Sequence, residues 1–103
     1  MMRRFEVAPQ ARRDLANIIS WYRDEMGASA ALKVATTIRA RLRSLESGKL
    51  KGSEILPEAP GYFRVVARKH VIIFKVLPEM LQVVRIVHGA RDIPALLASG
   101  RDD

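Results

Sequence analysis

The spacing of apolar positions changes period along the chain, and each change marks an element. Residues 4–8, "RFEVA", alternate apolar and polar side chains, so a short first strand is expected, ending before Pro9, a residue suited to the first turn of a helix. From Ala11 the apolar positions are Leu15, Ile18, Ile19, Tyr22 and Met26, steps of three and four that keep them on one helical face. Gly27 supplies the stop. A second stripe, Leu32, Val34, Ala35, Ile38, Leu42 and Leu45, predicts another helix with Ser29 as its N-cap and Gly48 beyond its end. Two helices so closely joined form an antiparallel hairpin.

The stretch "SGKLKGSEILPEAPG" gathers three glycines and two prolines among polar residues and reads as a loop. Beyond it "YFRVV", "HVIIFKVL" and "MLQVVRIV" read as strands. Their connectors are so short that the strands must be antiparallel neighbours. "IPALLAS" predicts a last short helix capped by Asp92, with Pro94 early in it. The order strand, helix, helix, three strands, short helix is that of an α+β domain, a helical hairpin packed on one face of a small, mainly antiparallel sheet. The place of the first strand in the sheet stays open.

Strand side chains alternate between faces, and cations mark the face turned from the helices. Parity then gives that open face Arg64, Lys75 and Arg85, with Tyr62, Val71, Ile73, Leu77, Leu81, Val83 and Val87. The helix side receives Phe63, Val65, Ile72, Phe74, Val76, Val84 and Ile86, with His88 at the strand's end. So many aliphatics on an open face imply that something covers it.

At 103 residues the chain is expected to be one domain, 1–103, with a loose tail over 98–103. It contains no cysteine and only two histidines, His70 and His88, which removes disulfides, thiolate metal sites and thiol nucleophiles. No metal or cofactor is expected. No apolar run approaches the ~20 residues that cross a bilayer, and the N-terminus is not that of a signal peptide, so the expected location is cytoplasmic, with no membrane partner. The formal charge of +7 favours an anionic partner. Much of it falls on the second helix, where Lys33, Arg39, Arg41 and Arg43 precede any acid; a solvated surface is the plain alternative.

The segment "VRIVHGARDIP" collects the candidate chemistry. Histidine titrates near neutrality, and the arginine forks of Arg64, Arg85 and Arg91 match carboxylate or phosphate oxygens. Gly89 would let the backbone turn sharply as the strand ends. The same residues would equally serve to end the sheet and cap a helix. Trp21 lies off the apolar stripe of the first helix, where its amphipathic ring suits an interface or half-buried packing.

With "ARRDLANIISWY" in the first helix, "YFRVVARKHVIIFKV" in the middle strands and "VVRIVHGARDIPALL" at the end, the chain resembles the RelE/ParE superfamily of type II toxins over roughly residues 4–98. It looks most like the ParE branch, known from plasmid-stabilisation modules. The resemblance implies a toxin held inactive by a cognate antitoxin whose acidic C-terminal segment wraps it, with operator DNA met only indirectly, through the antitoxin. Arg64, Lys75, Arg85, Arg91, Ile73, Val83 and Trp21 are the expected antitoxin or target contacts; Leu96 and Leu97 would contribute to toxicity or close the core.

The superfamily divides by activity, and the resemblance to the ParE branch implies inhibition of DNA gyrase by binding, with no catalytic residues. The alternative is a RelE-like ribosome-dependent mRNA endoribonuclease centred on Arg64, Arg85 and His88. That chemistry needs a base, an acid and cations on the phosphate. The base is missing, since Glu46 ends the second helix and Glu54 and Glu58 fall in the expected loop. A third reading is a nonspecific nucleic-acid-binding domain driven by the second helix.

Overall fold

Pro9 opens α1 (Pro9–Met26), and its fixed φ and missing N–H cost nothing at that position. In the computed structural model, which describes residues 4–49, 52–57, 59–89 and 97, α1 follows strand β1 (Arg4–Val7) after Ala8 alone. Gly27 then joins α1 to α2 (Ala28–Glu46) by itself, at φ 97° and ψ 169°, a conformation closed to residues bearing a Cβ. The expected Ser29 cap is therefore wrong: Gly27 reverses the chain in one residue, and Ser29 is already helical.

The loop expected over 47–61 contains a two-residue strand, β2 (Glu54–Ile55), which no pattern of that length could signal. It is followed by β3 (Tyr62–Ala67), β4 (His70–Val76) and β5 (Met80–His88). The five strands form one sheet in the order β1-β5-β4-β3-β2. Only β1 runs parallel to its neighbour, β5. A parallel pair needs a long connection, and here the helical hairpin together with β2, β3 and β4 lies between β1 and β5 in the chain.

The helix-side core gathers Ala11, Ile38 and Leu45 against Val65, Ile72, Phe74, Leu81, Val83 and Ile86. Parity holds along β3 and β4 but fails in the first half of β5. The register steps from Ile73↔Arg85 to Phe74↔Val83, leaving Val84 as an extra residue. This bulge turns Leu81 and Val83 to the helices and Val84 to the open face, the reverse of the expected assignment.

The open face is covered by the chain itself. Leu56, Val71, Ile73 and Val87 form a second apolar cluster, with Ala59, Tyr62, Val84 and Leu97 packed against it. Leu56 is held there because its N–H donates to Tyr62 and its carbonyl accepts from Ala59. The terminal helix expected over 93–99 lies outside the described residues apart from Leu97, as do Arg91, Asp92, Pro94 and Leu96.

Candidate functional site

Arg85 stands at an edge created by the shortness of β1. Val7 pairs with Val83, and Ala8 donates its N–H to Val83 as the chain leaves for α1, so β5 continues past Val83 without a strand on that side. Asp14 of α1 fills the gap. Its Oδ2 accepts the Ile86 N–H at 3.0 Å and Arg85 Nε at 2.8 Å, while Oδ1 accepts Arg85 Nη2 at 3.1 Å. Both side chains are only 14% exposed. Arg85 was expected on the open face as a site residue; its guanidinium is instead spent on a bidentate pair that seals an edge.

What the open face does present is a polar band at one end of the sheet. Glu6, Gln82, Lys75 and Tyr62 lie in one row across β1, β5, β4 and β3. Gln82 donates to Glu6, and Lys75 Nζ sits 5.9 Å from the centre of the Tyr62 ring, within cation–π range. One row along, Arg64 Nε donates to Glu54 Oε1 at 3.3 Å, with side chains 40% and 61% exposed. The band thus carries two cations and two carboxylates, of which Arg64 and Glu54 form an ion pair. Such a surface suits a polar partner better than a bare phosphate.

Other expected contacts fare differently. Ile73 and Val83 are completely buried, so neither reaches a partner from this fold. Trp21 is 56% exposed and meets Tyr22 edge-on at 5.2 Å, a surface position that its place off the stripe foretold.

The histidines are on the opposite side of the sheet from Arg64. His70 pairs with His88 across β4 and β5, their rings 5.8 Å apart, and His70 also meets Tyr22 of α1. His70 is 4% exposed, and its Nδ1 finds no hydrogen-bond partner among the described residues. Burial, then the neighbouring His88 and Lys69, hold its pKa below the usual 6.5. His88 is exposed on the helix side, as its parity required. Strand spacings put its Cα roughly 14 Å from that of Arg64, with the sheet between the side chains. The strand ends at His88 and Gly89 lies in a turn, as expected, with its N–H still donating to the Lys69 carbonyl and its φ outside the left-handed region.

The geometry can be set beside known proteins. The model of the ParE toxin of type II toxin–antitoxin systems, parDE, matches residues 5–93. The chain belongs to the ParE toxin family. No curated protein matches it by sequence. Among solved structures, the chromosomal ParDE TA system from P. aeruginosa superposes with a TM-score of 0.74 at 24% identity, over 84% of this chain and 96% of that one. The E. coli DinJ-YafQ toxin–antitoxin complex gives 0.64 at 15% identity, over 87% and 96%. The archaeal RelE-RelB complex from Pyrococcus horikoshii OT3 gives 0.61 at 12% identity, over 88% and 99%. These likenesses establish the RelE/ParE-like fold.

For this ParE-family toxin, four participants were missed from sequence. Asp14 is 71 residues from Arg85, and nothing in the helix pattern marks it as a strand partner. Glu6 and Gln82 meet only because β1 lies beside β5. Glu54 was assigned to a mobile loop, whereas β2 fixes it opposite Arg64. No helix among the described residues is long and apolar enough to cross a membrane.

Proposed function

We propose that this ParE-family toxin inhibits DNA gyrase by binding, acts in the cytoplasm, and is neutralised by a cognate antitoxin with an acidic C-terminal segment. One observation carries the choice of binding over chemistry: Arg64, Arg85 and His88 do not converge. Arg85 is committed to Asp14, and His88 lies on the other side of the sheet. A phosphodiester cutter needs its base, acid and cations within reach of one phosphate. Arg64 and Lys75 on the polar band, Trp21 on α1, and Arg91 are the side chains assigned to partner contact.

The endoribonuclease reading keeps one observation in its favour, the Glu54 carboxylate beside Arg64, which supplies a carboxylate that β3, β4 and β5 lack. Both readings meet in one experiment. Purified toxin is assayed in parallel for gyrase supercoiling and for cleavage of mRNA on programmed ribosomes, with His88→Ala and Glu54→Gln beside wild type. The expected result is lost supercoiling, intact mRNA and no effect of either substitution on inhibition beyond about twofold. Cleaved mRNA that persists in wild type and disappears in Glu54→Gln would replace gyrase by the ribosome.

A further inference from the structure

We infer that the solvent face of α2 is a docking surface for the phosphate backbone of duplex DNA, contacted directly rather than through an antitoxin. The inference stands apart from the choice between gyrase and ribosome. Lys33, Arg39, Arg41 and Arg43 are all exposed, and none has an ion-pair partner among the described residues. On the sheet, by contrast, Arg64 and Arg85 are each matched to a carboxylate. Arg39 and Arg43 stand one turn apart, an arrangement of like charges that weakens an isolated helix. The helix dipole accounts for Arg43 in the last turn but not for Lys33 near the start.

The distribution of these groups favours a duplex. Ten residues separate Lys33 from Arg43, a rise of about 15 Å. At ~100° per residue, Arg39 and Arg43 fall on one flank of the helix and Arg41 on roughly the opposite one. The exposed positions among them are Thr36 and Ala40, both small. A helix with a low centre and cations on both flanks suits a groove about 12 Å wide with phosphates along each rim. Between Lys33 and Arg43 the helix exposes no apolar side chain larger than alanine to anchor an acidic protein segment, and the exposed Leu32 stands at the N-terminal edge of the cations rather than among them. Single strands bind by stacking on aromatic rings, and α2 has no aromatic residue.

The test is fluorescence anisotropy of a labelled duplex of about 20 base pairs, titrated with the purified chain between about 50 and 200 mM salt. Wild type is expected to show log affinity falling linearly with log salt. Arg39→Glu with Arg43→Glu should weaken binding at least about tenfold and reduce the salt slope by about two, since each phosphate contact contributes about 0.9. Arg39→Gln with Arg43→Gln should move both in the same direction, and thermal melting verifies that each variant is folded. Arg13→Glu with Arg23→Glu on α1 makes the same change in net charge at exposed positions and should cost less than about threefold. Equal losses from the two pairs would reduce the effect to net charge and overturn the inference. So would undiminished binding by the α2 variants, or polyglutamate binding as tightly as the duplex, which would make the partner an acidic protein.

Discussion

Two arginines on one sheet have the same chemistry and opposite fates. Arg85 meets Asp14 through two hydrogen bonds at a position where both side chains are 14% exposed, and the same carboxylate takes a backbone N–H. Arg64 meets Glu54 through one bond of 3.3 Å, where both are substantially exposed to solvent. The first pair is bound into the fold, because removing either partner strands a desolvated charge. The second is screened by water and easily exchanged for another partner. The closed flank of the sheet therefore builds structure, and the open flank remains available for recognition.

The sharpest way to break this contrast is Asp14→Ala. It leaves the Arg85 guanidinium and the Ile86 N–H without their acceptor, so a loss of about 3 kcal/mol is expected. Urea denaturation measures it. A double-mutant cycle of Asp14 with Arg85 should return a coupling of about 2 kcal/mol, against about 0.5 or less for Glu54 with Arg64. Equal couplings would mean that exposure does not separate the two pairs.

The elements were legible in the sequence where periodicity was long enough to read. Both helices, β1 and the three long strands were expected, and so was the layering of hairpin on sheet. The faces of β3 and β4 followed from parity because their ladder is regular. Parity failed at Val84, where one extra residue in β5 reverses Leu81 and Val83, and the run "MLQVVRIV" is apolar enough on both sides to hide a bulge. The fate of Arg85 was equally hidden. It depends on where β1 stops and on what α1 presents there, both facts of tertiary structure. Trp21 was legible because its departure from a helical stripe is a local property, and His88 because it lies beyond the bulge on the regular part of the ladder.

A smaller effect on the closed flank is set by pH. His70 is packed against Tyr22, His88 and Lys69, none of which carries a negative charge, and Asp14 is already committed to Arg85. With its pKa lowered by burial first and by the neighbouring His88 and Lys69 next, His70 stays neutral in the fold at a pH where the unfolded chain takes up a proton. Its stabilising contribution is thus complete above about pH 6.5 and declines as the pH falls from there toward the lowered folded value. Urea midpoints between pH 7.5 and pH 5.5 should fall further for wild type than for His70→Gln. Parallel curves would show that His70 accepts its proton without cost.

The smallest expected effect tests the open flank most directly. Glu54→Ala removes the partner of Arg64, yet with the two side chains 61% and 40% exposed the lost stability should be no more than about 0.5 kcal/mol. If that flank recognises a partner, the same substitution matters more for binding than for folding. Freed from Glu54, Arg64 offers its whole fork to an incoming carboxylate, and an acidic peptide should bind Glu54→Ala about two- to fivefold more tightly than wild type in a titration at low salt. Arg64→Ala should weaken the same peptide, again with little change in melting. A Glu54→Ala variant that unfolds like Asp14→Ala would instead place Arg64 among the structural cations, and the two flanks of the sheet would no longer differ in kind.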